Sequence, residues 1–315
     1  MRVRVLALLG CLALGGCVKL DFFLFDGEPA RLEDYDFERE DLDGVPADRI
    51  TSTMVEVGQS GQAIHVVFIE RDPSKLDPRI DPADGVTVVY SHGNSGNNML
   101  YWHRATHYED MGFNVVLYDY RGYGASEGRT TETHTYADAE AAFDWAGTRD
   151  GVGEILSVGY SMGGGPAIWL CSPEGGRDPF ACFTEGAFAS TEKLLYDGMY
   201  WDVPSSWMLD VEYDNETRIG TVTVPFLLMH GRLDQRVGFE SGEMLWAAVG
   251  DKHPLNRFEV FDDAGHRDVH IPSYPGEELP TEYSHPDELP PDLAVEYAYY
   301  RSVIVEFVVD ALAAR

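Results

Sequence analysis

The sequence predicts one α/β domain, built on a mostly parallel β-sheet with helices on both of its faces. From residue 86 onward, short apolar runs rich in β-branched and aromatic residues alternate with stretches of helical length. The apolar runs are continuous, which is typical of strands buried on both faces of a parallel sheet. The length of 315 residues and the hydrophobic fraction of 44% supply enough material for one large core.

The predicted elements follow each other in a simple order. Two segments, 53–58 and 63–70, are predicted to form an antiparallel pair joined by the turn "QSGQ". Six further strands are predicted at 86–92, 113–120, 154–160, 180–188, 224–231 and 256–265. Helices are predicted near 97–111, 134–148, 162–171 and 238–249, with a last helix from about residue 293.

The start of the chain is interpreted as an export signal. A short basic stretch, "MRVR", precedes the apolar run "VLALLGCLALGG", which is too short to span a bilayer stably. The run ends in "LGGC", which resembles the lipobox of bacterial lipoproteins, so residues 1–16 are predicted to be a signal peptide and Cys17 the lipidated residue. In such lipoproteins an Asp after the cysteine commonly retains the protein at the inner membrane, and Val18 here favours the outer membrane of the bacterial envelope. The alternative is a plain secretory signal with incidental cysteines.

The rest of the chain divides into a tether and a domain. Residues 17–52 are predicted to be a lipidated tether and an acidic strap, and residues 53–315 to be the α/β domain. Two segments depart from its β-α alternation, a cap-like insert at 191–220 and an irregular acidic insert at 267–291. Long connections at strand ends often carry function. The aromatic residues of the first insert either line an acyl pocket or form the core of the cap.

The net charge and the cysteine content limit which partners and cofactors the protein is expected to bind. A formal net charge of −31 repels phosphate backbones, which argues against nucleic acid as a partner. Two cysteines remain within the domain, Cys171 and Cys182, and they either pair in an oxidising compartment or serve as small buried side chains. Neither has the neighbours of a metal site, and the sequence implies no metal and no organic cofactor.

One serine has the setting of a nucleophile. Gly159, Ser161 and Gly163 form G-x-S-x-G between an apolar run and a predicted helix. A serine can attack only if it projects from a tight turn that a base can reach, and side chains on its neighbours would block that turn. The helix N-terminus adds free N–H groups and a partial positive charge that suit an oxyanion.

A serine hydroxyl needs a base, and the base needs an acid that orients it. After such a turn the acid and then the histidine follow in the chain, each at the end of a strand. Asp234 and His266 stand in these positions and are predicted to be the acid and the base. The competing acids are Asp214, Asp262 and Asp263, and the competing interpretation of Asp234 is a helix cap.

The oxyanion requires two N–H donors. The backbone N–H of Met162, directly after the serine, is predicted to be one of them. The second is expected in the loop "SHGNSGN", where Gly93 allows the backbone of Asn94 to turn inward. His92 in this loop is interpreted as a structural residue.

Five motifs follow each other in the chain: "HGNSGN", "YDYRGYGASEG", "GYSMGG", "HGRLDQRV" and "AGHRD". Together they resemble the α/β-hydrolase superfamily, in particular its serine hydrolase branch of depalmitoylases and lysophospholipid or monoacylglycerol lipases. The likeness runs from about residue 53 to the end. The resemblance implies the α/β-hydrolase fold, with Ser161 as nucleophile, His266 as general base, Asp234 as its orienting acid, and Asn94 and Met162 as oxyanion donors. The long insert after His266 departs from these relatives.

Two classes of function are expected. The first is a lipid-anchored serine hydrolase that cleaves carboxylic esters or thioesters of small or lipid-like acyl substrates through an acyl-enzyme. The second is a catalytically silent surface lipoprotein that keeps the fold for binding. The presence of Ser161, Asp234 and His266 together favours the enzyme. A serine peptidase of the same fold is the nearest enzymatic alternative, although no large gating domain fits in this length.

Overall fold

The computed structural model of the chain describes residues 24–35, 45–199, 211–269 and 291–315. The predicted signal peptide, Cys17, residues 200–210 of the first predicted insert and residues 270–290 of the second lie outside the described residues. Within the described ranges, no helix combines the length and the apolar character needed to cross a membrane. The same ranges hold no group of three His, Cys, Asp or Glu side chains suited to a metal ion.

The strands build one large sheet and one small pair. In chain order they are β1 Asp26–Gly27, β2 Ile50–Glu56, β3 Ala63–Ile69, β4 Thr87–Ser91, β5 Ser95–Gly96, β6 Asn114–Tyr118, β7 Ile155–Tyr160, β8 Ala181–Glu185, β9 Phe226–Gly231 and β10 Arg257–Phe261. Eight of them form the central sheet in the order β10-β9-β8-β7-β4-β6-β3-β2. Only β3 runs antiparallel to its neighbours β2 and β6. The predicted antiparallel pair and the mostly parallel sheet are therefore confirmed, with β2 starting three residues before the predicted boundary at 53.

Helices connect the strands. The helices are α1 Trp102–Glu109, α2 Glu132–Ala146, α3 Gly164–Cys171, α4 Thr191–Met199, α5 Asn215–Ile219, α6 Phe239–Val249 and α7 Pro291–Ala313. They cover both faces of the sheet, as the alternating side chains of β4 show. Val88 and Tyr90 contact a core cluster that includes α1 and α7, whereas Val89 contacts a second cluster that includes α2 and α3. Burial on both faces explains why the predicted strands are continuously apolar.

The first predicted insert contains two helices that the sequence did not predict. The helix α4 begins the 191–220 segment, and α5 ends it with Asp214 as its N-cap, whose carboxylate accepts a hydrogen bond from the Thr217 amide. Tyr213 is fully buried among the side chains of the second core cluster. The Tyr213 side chain is therefore part of the core of the domain, whereas the Tyr196 side chain, also in the first predicted insert, is 49% exposed.

The two domain cysteines are unbonded thiols, so the predicted alternative of a Cys171–Cys182 disulfide is not what the structure contains. Cys171 ends α3 and Cys182 lies in β8, both buried in a third apolar cluster. The Cys182 thiol donates to the carbonyl of Ala167 at 3.6 Å. Burial raises the pKa of Cys182 well above its ordinary value, which disfavours the thiolate that disulfide exchange requires. The two residues serve as small buried side chains.

Candidate active site

Three polar side chains meet at one edge of the sheet. Ser161 directly follows β7, Asp234 follows β9, and His266 follows β10. These strands are parallel and nearly adjacent, so their carboxyl ends open at the same edge. Residues separated by more than one hundred positions along the chain are brought together by the order of the strands.

The contacts among the three side chains form a continuous chain. The Nε2 atom of His266 lies 3.0 Å from Oγ of Ser161. On the other side of the ring, Nδ1 of His266 lies 2.6 Å from Oδ2 of Asp234. A carboxylate oxygen only accepts, so Nδ1 of His266 carries a proton, and in its neutral form the ring offers the Nε2 lone pair to the serine hydroxyl. This is the arrangement that activates a hydroxyl as a nucleophile.

The Asp234 carboxylate is held from several sides. Its Oδ1 atom accepts the backbone N–H groups of Arg236 and Val237, both at 2.8 Å. The buried His230 ring approaches Oδ2 at 3.5 Å and donates from Nε2 to the carbonyl of Val237 at 3.0 Å. Burial by itself raises the pKa of Asp234, but hydrogen bonds and charge from His230 and His266 outweigh it and hold the pKa well below its ordinary value. The carboxylate therefore stays ionised throughout the neutral range.

The competing acids lie elsewhere. Asp214 caps α5, and the exposed Asp262 pairs with Arg232. Asp263 is exposed as well. Asp234 is not the N-cap of α6, because this helix starts at Phe239 with Gly238 as its N-cap. The backbone N–H groups bound by Oδ1 of Asp234 precede the helix, and a capping role would leave the contact of Oδ2 with His266 unexplained. Among the four carboxylates, Asp234 is the one in contact with His266.

The serine stands on a strained turn. Ser161 has a φ of 54°, which side chains rarely adopt and which clusters at functional sites. A short 3₁₀ turn, Ser161–Gly163, connects β7 to α3. At Gly163 a Cβ atom would lie 1.9 Å from the carbonyl oxygen of Ser91, at the end of the neighbouring strand β4. The absence of a side chain at Gly163 lets the turn sit directly on the sheet.

We expect Gly163→Ala to lower the free energy of unfolding by about 1–3 kcal/mol or more, because the facing atom is backbone and cannot move aside. Gly163 has an ordinary φ of −62°, so the collision alone causes the loss. Gly147→Ala is the matched control, with a φ of −60° and its nearest neighbour, a backbone oxygen, at 3.6 Å. Urea denaturation of both variants measures the difference, and equal stabilities would contradict this account of the turn.

The two predicted oxyanion donors lie in the turn that begins at Ser161 and in the loop after β4. Met162 is buried in the first turn after Ser161, where helix N–H groups have no partner within the helix. Asn94 lies in the loop after β4. The carbonyl of Gly93 accepts a hydrogen bond from Nδ1 of His92 at 2.7 Å. Because a trans peptide directs its C=O and N–H oppositely, this bond fixes the direction of the Asn94 N–H and gives His92 the structural role that the sequence predicts.

A buried ion pair that the sequence did not predict lies next to the loop that carries the histidine. Arg104 in α1 donates to Glu185 at the end of β8 at 2.6 Å and to the carbonyl of Arg267 at 2.8 Å. The Arg104 guanidinium also stacks on the Tyr160 ring at 3.9 Å, and the Tyr160 hydroxyl donates to the carbonyl of His266 at 3.2 Å. Burial alone lowers the pKa of Arg104, but the Glu185 carboxylate raises it well above its ordinary value. These contacts join the residue before Ser161 to the loop that carries His266.

The eight-stranded sheet and the strand-turn-helix at Ser161 define an α/β hydrolase, and comparison with known proteins agrees. A family profile described as the alpha/beta hydrolase fold matches residues 86–184. The uncharacterized protein Rv2307c of Mycobacterium tuberculosis is 30% identical over 196 residues, which are 62% of this chain and 67% of that protein. The chain belongs to the α/β-hydrolase superfamily.

Two further similarities bear on the family and the fold. Lysophosphatidylserine lipase ABHD12 of Macaca fascicularis is 29% identical over 218 residues, which are 61% of this chain and 53% of that protein. The chain thus spans about half the length of this relative. The structure of the Pyrococcus furiosus esterase Pf2001 superposes with a TM-score of 0.64 at 16% identity, covering 91% of this chain and 98% of that one. At this identity the likeness establishes the fold.

Proposed function

We propose that the protein is a lipid-anchored serine hydrolase that cleaves carboxylic esters or thioesters through an acyl-enzyme intermediate. The observation that carries the proposal is the chain of contacts from Ser161 through His266 to Asp234, at 3.0 and 2.6 Å. Each of these three side chains has the partner that nucleophilic catalysis by serine requires.

In the proposed reaction, Oγ of Ser161 attacks the acyl carbonyl carbon while Nε2 of His266 takes the hydroxyl proton. The carbonyl oxygen becomes an oxyanion, stabilised by the N–H groups of Met162 and Asn94. When the tetrahedral intermediate collapses, the bond to the alcohol or thiol breaks and His266 returns the proton to the leaving group. Water then attacks the acyl-enzyme by the same route, releases the acid and restores the serine.

The substrate class is an acyl ester or thioester of lipid-like character. Similarity to a protein named as a lysophosphatidylserine lipase supports this assignment, as does the fold shared with an esterase. The lipid anchor supports it as well. The chain from Cys17 to Asp26 reaches at most about 30 Å when fully extended, so an acylated Cys17 would hold the sheet edge that carries Ser161 near a membrane surface.

Anchoring has its own test. Substituting Cys17→Ser should release the protein from the membrane fraction of expressing bacteria and abolish incorporation of a clickable palmitate analogue. The matched control is Cys11→Ser, which alters the other cysteine of the predicted signal and should leave both readouts unchanged. Continued palmitate incorporation by the Cys17→Ser protein would exclude the assignment of the anchor.

Hydrolysis of p-nitrophenyl esters of increasing chain length tests the enzymatic proposal. We expect turnover, and the longest accepted chain reports the depth of the acyl pocket. Ser161→Ala is the matched control and should be inactive on every ester. A folded wild-type protein that cleaves none of the oxygen esters or the corresponding thioesters would favour the catalytically silent lipoprotein instead.

A further inference from the structure

A segment outside the α/β core contacts the loop that carries Asn94. Residues 92–98 are here called the oxyanion loop, and residues 24–35 the N-terminal segment. The strand β1 of the N-terminal segment pairs in parallel with β5 of the oxyanion loop, with Asp26 opposite Ser95. The Asp26 amide donates to the carbonyl of Asn94 at 2.9 Å, and the Glu28 amide donates to the carbonyl of Gly96 at 3.0 Å. The segment therefore adds a strand to the outer edge of the loop.

A tyrosine ring is enclosed between the two segments. The hydroxyl of Tyr123 donates to the same Asn94 carbonyl, at 2.9 Å, and its side chain is fully buried. The backbone of Gly27 packs directly on the Tyr123 ring. A Cβ atom at this position would lie 2.7 Å from the ring and would collide with it. The Asn94 carbonyl is thus fixed by two donors, the Asp26 amide and the Tyr123 hydroxyl.

The far end of the N-terminal segment holds the far end of the oxyanion loop. The Tyr35 hydroxyl donates to Oδ2 of Asp119 at 2.6 Å. The other oxygen of this buried carboxylate, Oδ1, accepts the backbone N–H of Asn98 at 2.7 Å. One carboxylate therefore links the two segments at a second point.

Together these contacts fix the direction of the Asn94 backbone N–H. The peptide before Asn94 is oriented by His92, which binds the Gly93 carbonyl. The peptide after Asn94 is oriented by Asp26 and Tyr123, which bind the Asn94 carbonyl. With both flanking peptide planes fixed, the backbone dihedral angles of Asn94 are fixed as well. Preorganised donors stabilise an oxyanion best because they need no reorientation during the reaction.

We infer that the N-terminal segment is a positioning element of the active site, which holds the Asn94 N–H in the direction that the oxyanion requires. The inference rests on the proposed function, because it takes Asn94 as an oxyanion donor. Residues between the predicted anchor and the domain thereby contribute to turnover as well as to attachment. The segment touches no reacting atom and acts through the oxyanion loop.

Asp26→Pro tests the inference because proline lacks the backbone N–H that binds the Asn94 carbonyl. Asp26→Ala is the matched control, since it removes the side chain and keeps the N–H. The measurement is kcat for a p-nitrophenyl ester per active site, with active sites titrated by a fluorophosphonate to completion. Loss of a single oxyanion donor typically costs about a hundredfold to a thousandfold. We expect the kcat of Asp26→Pro to fall by about tenfold to a hundredfold, with KM within about twofold, and Asp26→Ala to match the wild type.

Titration separates positioning from loss of fold, because unfolded molecules are not counted. Equal kcat per titrated site in Asp26→Pro and Asp26→Ala would overturn the inference, while an active wild type would leave the proposed function intact. If the proline variant yields no folded protein, Tyr35→Phe replaces it. This variant removes only the hydroxyl that binds Asp119 and should also lower kcat per titrated site, and an unchanged value there would overturn the inference. A wild type that neither reacts nor turns over would instead remove the proposed function.

Discussion

Replacing His266 with alanine should lower kcat/KM for a p-nitrophenyl ester by about a million-fold, the scale on which serine triads depend on their base. The Nε2 atom of His266 lies 3.0 Å from the Ser161 hydroxyl. Without the imidazole, no other described side chain takes the hydroxyl proton, and the serine remains a weak nucleophile. The loss should fall mainly on kcat, since the ring is needed in the transition state.

The matched control is His253→Ala. This histidine lies before β10, where its ring accepts a hydrogen bond from the Leu255 amide, away from the serine. We expect it to keep wild-type kcat/KM. Thermal unfolding of both variants should stay within a few degrees of the wild type, because His253 is partly exposed and the hydrogen bonds of the His266 ring go to Ser161 and Asp234 within the site. A His266→Ala protein with more than about one per cent of wild-type activity would remove His266 from the role of base.

Asp234→Asn should reduce kcat by about ten-thousand-fold while leaving the fold intact. The retained oxygen of asparagine can still accept the N–H groups of Arg236 and Val237. The new NH₂ group then faces Nδ1 of His266, which must become an acceptor. The ring proton moves to Nε2, and the imidazole can no longer take the proton of Ser161.

Asp262→Asn and Asp263→Asn are the matched controls for this prediction, since both carboxylates are exposed and follow the same strand as His266. They should retain full activity. Because the pKa of Asp234 is held well below its ordinary value, the wild-type pH–rate profile should show no step from this carboxylate in the measurable range. Full activity in Asp234→Asn together with loss in Asp262→Asn or Asp263→Asn would transfer the role of the acid.

The central sheet could be predicted because its strands carry their own signal. Each parallel strand is buried on both faces and reads as a continuous apolar run, and the predicted segments 113–120 and 154–160 contain the observed strands Asn114–Tyr118 and Ile155–Tyr160. The helices α2 and α6 likewise lie within two residues of their predicted bounds. The predictions fail at the ends of elements, where turns rather than burial decide.

The helices α4 and α5 were not predicted, since the sequence around them is dominated by aromatic residues without a clear period. Their positions depend on long-range packing, such as the buried Tyr213 against α3. The pairing of β1 with β5 is even harder to predict from the sequence. Two residues per strand give no local pattern, and the pairing joins positions about seventy residues apart.

The residues at the centre of the candidate site could be found because each stands just past an apolar strand. The supporting contacts could not, because a single Arg or Glu in a sequence does not indicate its partner. Arg104 in α1 and Glu185 at the end of β8 meet only in the folded chain, eighty-one positions apart in the sequence. His230 is an intermediate case, since its spacing of four residues from Asp234 is visible within "HGRLDQRV".

The most direct measurement is the site of attachment of a fluorophosphonate, mapped by peptide mass spectrometry on the wild type and on His266→Ala. Only an activated serine reacts rapidly with such a probe. We predict one adduct per wild-type chain, on Ser161, and no adduct on His266→Ala over the same time. An adduct on another residue, or an unmodified Ser161 in a folded protein that hydrolyses esters, would contradict the account.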